Sequence, residues 1–415
     1  MFPMKFDISF ILTACILQVF LLSGCATNNT RSSTGVGPSL SSSYSNPKEI
    51  NSVQALPMLD VIIPVFDPGL PEDPDDYEDE NIWPEIRRAE ANRFAYKLKE
   101  KLDETGQFGS VRVTPDRTAT GDLYILGQIK ESNGEEVEIA VEVIDISGRE
   151  WLDESFDHEV SETFHKNYRN RGKDSYDPLF EKIATEIAEE LNDHESKELE
   201  DLHYLSDIRF GANLSDSKFM QYIKIEEDQF KLVGKPSDQD PMFRRVKAIR
   251  VRDQLFIDGL QNNYAAFSTK MNDSYLMWQN QSLLEIKAKR AANRKALAQA
   301  VGGVALIALG VLSGVAAANS NSSFGQSAGT MGAILGGVGG VALISESFST
   351  SAEAKVHRDT LNELGQSVDL EMGPKVIAFN KASVELTGNA REQFIQWRTF
   401  LQKIYSEEKT PDVQL

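Results

Sequence analysis

Fifty consecutive residues, Ala296 to Ser345, carry no charged side chain, and eleven of them are glycine. Few folds accept such a segment. In water a helical glycine costs about 1 kcal/mol relative to alanine, so a helix this rich in glycine needs an environment that offsets the loss. Asn319-Ser-Asn-Ser-Ser323 divides the run into two apolar arms. Gly332, Gly336 and Gly340 recur at every fourth position of the second arm, with Ala328 extending the row; Gly310, Gly314 and Ala318 repeat the pattern on the first. That spacing places the small residues on one stripe of a helix, where two backbones can approach closely. Three readings stay open. One is a membrane-inserted helical hairpin, whose arms of about 30 Å match a bilayer core. Another is a helix pair buried inside a soluble oligomer, and the third is a flexible low-complexity loop. Charged segments flank the run, so both arms have to return to the same side.

The amino terminus carries a second uncharged stretch. Ile8 to Leu22 is apolar apart from Ser9, Thr13 and Gln18, and it closes on Leu22-Ser-Gly-Cys25. It is short for a bilayer span and has the length of a signal-peptide core. The alternative is an uncleaved anchor with an incidental cysteine. Of the two cysteines, Cys15 leaves with a signal peptide over 1–24, and the mature chain then keeps no thiol free for a disulfide. Residues 25–57 are rich in Ser, Asn, Thr and Gly and read as a disordered tether.

The Leu-Ser-Gly-Cys motif resembles that of Gram-negative lipoproteins. The resemblance implies that Cys25 is the first mature residue and carries acyl chains, palmitate among them. Ala26 stands where an Asp would retain such a protein at the inner membrane, which implies an outer-membrane location with periplasmic soluble domains. The run at 296–345 is similar to the glycine-zipper segments of outer-membrane lipoproteins.

The net charge of −20, from 63 acidic and 43 basic side chains, argues against nucleic-acid binding. Residues 58–200 alternate as a folded domain should. Leu59–Phe66 reads as a strand, followed by an acidic loop with eight carboxylates from Asp67 to Glu80. Pro84 opens a helix at its favoured first position, with Asn81 as a nearby cap. Ile86, Ala91, Phe94, Ala95, Leu98 and Leu102 form its apolar face, and Gly106 and Gly109 end it. Val111–Val113 and Asp122–Lys130 are short strands. Asn133-Gly134 and Ser147-Gly148 are hairpin turns around an alternating strand with Val137, Ile139, Val141 and Val143 on one face. Asp177-Pro178 begins a second helix. The order predicts an α+β fold, a small antiparallel or mixed sheet with two helices. It is similar to the domain shared by the TolB amino-terminal region, the curli-secretion lipoprotein and the lipoprotein activator of penicillin-binding proteins. That resemblance implies protein contacts and self-association.

Residues 201–295 read as helical, with amphipathic patterns over 243–270 (Val251, Leu255, Leu260, Tyr264, Phe267) and 273–299, the second turning basic at Lys287, Lys289, Arg290, Arg294 and Lys295. In 346–415 a helix, a short extended segment and a last helix follow, the last capped by Asn389 with Glu392.

No nucleophile elbow, phosphate-binding loop or metal-ligand spacing stands out, and the five histidines are scattered. The expectation is a non-enzymatic, outer-membrane lipoprotein without cofactor or metal. It is held to the bilayer through Cys25, its residues 296–345 either insert in the membrane or pack in an oligomer along Gly310, Gly314, Gly332, Gly336 and Gly340, and it acts as a self-associating structural component of an envelope or export complex. The alternative is a binding module that regulates a peptidoglycan or other envelope enzyme.

Overall fold

The computed structural model describes residues 57–79, 82–312, 352–379 and 382–407. The fold is α+β. Strand β1 (Val61–Pro64) is followed by helix α1 (Pro84–Thr105), β2 (Val111–Thr114), β3 (Leu123–Ser132), β4 (Glu136–Asp145), β5 (Glu150–Glu159) and α2 (Asp177–Asn192). The strands form one mixed sheet in the order β2-β1-β3-β4-β5. β1 lies parallel to both β2 and β3, with Val61 opposite Val111 and Leu123, whereas β3, β4 and β5 form an antiparallel meander.

Local sequence explains most of these boundaries. Pro84 sits at the start of α1, preceded by Trp83 as the capping position, while Asn81 lies outside the described residues. Gly106 ends α1 in the left-handed region at φ 65°, which only glycine adopts without cost. Val137, Ile139, Val141 and Val143 are all buried on the face of the sheet that α1 and α2 cover. Phe94 of α1 and Phe180 of α2 meet edge to face at 5.2 Å beneath it.

Beyond α2 come α3 (Ser196–Leu214), the hairpin β6 (Ile223–Glu226) and β7 (Gln229–Leu232), and α4 (Pro241–Leu312). The hairpin interrupts the stretch expected to be helical. Its turn residues Glu227 and Asp228 both have positive φ, 52° and 61°, with no glycine to mark the turn in advance. The patterns over 243–270 and 273–299 belong to one uninterrupted helix of 72 residues, about 108 Å long at 1.5 Å per residue. Asp240 caps it by accepting from the Met242 N–H at 2.8 Å. Leu260, Tyr264 and Phe267 are buried as expected, but Val251 and Leu255 are 52% and 62% exposed. At that level the inward face is taken by Arg250 and Asp253 instead.

The chain resumes with α5 (Ala352–Leu364), the hairpin β8 (Lys375–Phe379) and β9 (Ala382–Leu386), and α6 (Ala390–Glu407). Asn389 and Glu392 form the expected reciprocal cap, each side chain accepting from the other's backbone N–H at 3.1 and 2.8 Å. α5 runs antiparallel to α4: Glu363 pairs with Lys270 at 3.0 Å, and His357 meets the Ser274 hydroxyl at 2.9 Å. The buried apolar residues of all these segments form one continuous core.

Candidate functional site: a buried polar clamp on the long helix

Of the residues expected to act in anchoring and packing, Gly310 falls on α4 near its last described turn. Cys25, Gly314, Gly332, Gly336 and Gly340 lie outside the described residues. The structure brings together a different set, on the route that leads to Gly310.

Helix α1 carries Arg87, Glu90 and Arg93 at helical spacing, and all three are buried. They face α4, the β3–β4 hairpin and the loop before α2. Arg93 holds Asp174 through two guanidinium nitrogens, the shorter contact at 2.7 Å. The same guanidinium donates to the Ser268 carbonyl at 3.1 Å and to Asn272 Oδ1 at 3.0 Å, and lies 4.7 Å from the centre of the Tyr275 ring. Asp174 also accepts from Gln279 Nε2 at 2.7 Å and from the Tyr176 N–H at 3.1 Å. Burial alone would raise its carboxyl, but Arg93, Gln279 and that N–H outweigh burial and hold it below the ordinary carboxylate range. One ion pair therefore ties α1, the α2 approach and four positions of α4 together.

Glu90 is the less settled member. Its Oε1 accepts from Ser132 Oγ at 2.5 Å and from the Tyr275 hydroxyl at 2.7 Å. Its Oε2 has no hydrogen-bond partner, and Arg87 Nε lies 3.9 Å away. Burial pushes the carboxyl up to about 7, against the lowering effect of Arg87, Ser132 and Tyr275. Burial, followed by the nearby Glu90 charge, raises both Tyr176 and Tyr275, so each hydroxyl stays protonated.

The Asn133-Gly134 turn is more than a hairpin connection. The Gly134 N–H donates to the Tyr176 hydroxyl at 2.7 Å, and a Cβ at Gly134 would stand 2.6 Å from Ser282 Cβ on α4. Glu135, also buried, pairs with Arg290 of α4 at 2.8 Å. The opposite end of the sheet grips the same helix: Arg112 of β2 meets Asp258 at 2.6 Å, and Asp60 accepts from Gln254 at 3.0 Å. From Gln254 to Arg290 the helix is thus fastened along about 54 Å of its length. Past Arg290 the backbone stays helical to Leu312, about 33 Å further. Ala288, Arg290, Ala291 and Arg294 are exposed.

Among the described residues, no helix is long and apolar enough to cross a membrane, and no group of His, Cys, Asp or Glu is placed to hold a metal ion. The uncharged run continues beyond Leu312, where the description stops. No protein-family model, no characterised protein and no solved structure matches this chain.

Proposed function

We propose that the protein is a non-enzymatic outer-membrane lipoprotein, anchored through an acylated Cys25, that assembles through its glycine-rich segment into a structural part of an envelope or export complex. The observation that carries this reading is the antiparallel placement of α4 and α5 around residues 313–351. The chain leaves the body on one helix and comes back beside it, as a two-armed insertion requires. α4 is already helical from Ala296 to Leu312 of the first uncharged arm, with basic residues such as Arg290 and Arg294 at its entry, where cations favour a membrane interface. The buried clamp supports the same reading, because a mobile tether has no need of a helix fixed by ion pairs over several turns. The strand, helix, meander and helix order behind the resemblance to self-associating periplasmic domains is also present.

The test is in-cell crosslinking of tagged protein, comparing the native chain with the double substitution Gly336→Leu, Gly340→Leu. The substituted chain should lose its oligomer ladder while keeping a folded body. An unchanged ladder, together with unchanged membrane extraction, sinks the assembly role.

A further inference from the structure

The face of the sheet opposite α1 and α2 carries a cavity of about 400 Å³ beside the β4–β5 turn. Three arginines from three separate segments line it: Arg117 on the β2–β3 connection, Arg209 on α3 and Arg398 on α6. Leu126, Ile144 and Phe230 supply its apolar wall. A single carboxylate lines it, that of Asp145, and it is fully engaged. Asp145 Oδ1 accepts from the N–H and hydroxyl of Ser147 and from the Arg149 N–H, and Oδ2 accepts from Trp151 Nε1 at 3.0 Å.

Their own surroundings meet this charge only in part. Arg209 donates to the Ile146 carbonyl and lies 4.0 Å over the Phe230 ring, but pairs with no carboxylate among the described residues. Burial lowers its guanidinium below the ordinary value, so its charge is held at a cost that a bound anion would offset. Arg398 donates to the Thr118 carbonyl at 2.7 Å, and its ion pair with the buried Asp253 is long, at 3.9 Å, and beyond hydrogen-bond reach. Arg117 is exposed and has neither an ion pair nor a hydrogen bond among the described residues; nor has the hydroxyl of Thr120 on the same wall. In a chain with a net charge of −20, converging cations with spare donors are unusual, and guanidinium groups match the geometry of carboxylate and phosphate oxygens.

We infer that this cavity binds a small molecule bearing a carboxylate or phosphate on an apolar body, with the anion among Arg117, Arg209 and Arg398 and the apolar part against Leu126, Ile144 and Phe230. The volume lies within the range of pockets that enclose small ligands, about 300–1,000 Å³. The site lies on the side of the sheet away from α1 and α2 and shares no residue with the clamp, so it stands independently of the assembly reading.

The experiment is calorimetric titration of the full-length protein with naphthalene-2-carboxylate, 2-naphthyl phosphate and the neutral naphthalene-2-methanol, each corrected against a protein-free blank. At least one anionic probe should bind ten times more tightly than the alcohol or better, and the tighter anion names the ligand's acidic group. R117E, at an exposed side chain, should melt as the native protein does and lose tenfold or more in anion affinity, with R117Q intermediate. The inference is overturned if the alcohol binds as well as the anions, if neither anion binds, or if R117E binds them unchanged.

Discussion

The side-chain amide of Gln261 satisfies both free backbone groups of Val113, accepting from its N–H at 2.9 Å and donating to its carbonyl at 2.8 Å. A residue of the long helix thereby takes the place of a sixth strand at the β2 edge. The amide is held in register by a second donation, to the Ile257 carbonyl one turn back at 2.9 Å. Open sheet edges invite pairing with other chains, and here the edge is closed by the element that leads to the glycine-rich run.

Gln261→Leu removes that closure while keeping the bulk. The loss of two partners for half-buried backbone groups should cost about 1–3 kcal/mol, read from urea denaturation. Sedimentation should show new association that persists when Gly336 and Gly340 are replaced, since it arises at the sheet edge.

Glu90 should impose a pH dependence of its own. Its folded value of about 7 lies above its ordinary value of 4.5, so between these limits the folded state holds the extra proton. Stability from this group is complete below about pH 4.5 and is lost as pH rises through 7. Glu90→Gln keeps an acceptor for Ser132 and Tyr275 and stays neutral. Relative to the native protein it should gain stability between pH 5 and 8, by up to about 3 kcal/mol if the whole shift is realised. Equal urea midpoints for the two chains across that range would refute the assignment.

Asp174→Asn leaves Arg93 buried without its counter-charge. Breaking one partner of a buried pair costs about 3–5 kcal/mol. Because Arg93 also holds Ser268 and Asn272, hydrogen exchange should accelerate in α4 around residues 268–279 more than in α2.

Gly134→Ala and Gly148→Ala form a matched pair. Both glycines have φ 92°, so both substitutions strain the turn. A Cβ at Gly148 meets nothing closer than 3.4 Å, whereas one at Gly134 meets Ser282 Cβ at 2.6 Å. The Gly134 variant should therefore be the less stable by about 1–3 kcal/mol, the cost of overpacking at the helix contact. Equal losses would show that the hairpin tip does not bear on α4.

What could be read beforehand follows from how local each signal is. Gly106, Asn133-Gly134 and the Asn389–Glu392 cap are written within a few residues, and all appear where expected. The alternation of Val137 to Val143 fixed which face of β4 is buried. The clamp was not legible, because Arg93 finds Asp174 and Asn272 81 and 179 positions away. Polar residues interleaved with the apolar face of α1 look like solvent-facing side chains until those partners are known. Val251 and Leu255 failed for the same reason in reverse, since Arg250 and Asp253 are drawn inward by Asp207 and Trp397. The charge at Arg117, Arg209 and Arg398 was equally invisible, scattered over some 280 positions of an acidic chain.

The unbroken course of α4 turns residue count into direction. No glycine or proline occurs between Leu260 and Val301, and the clamp fixes the helix on the near side of that stretch. The azimuth of Gly310 about the helix axis is therefore set by the body, at about 100° per residue. One residue inserted after Ala291 would turn Gly310 by roughly a third of a circle, and four would nearly restore it. The sheet domain thus acts as the dial that sets the heading of Gly310.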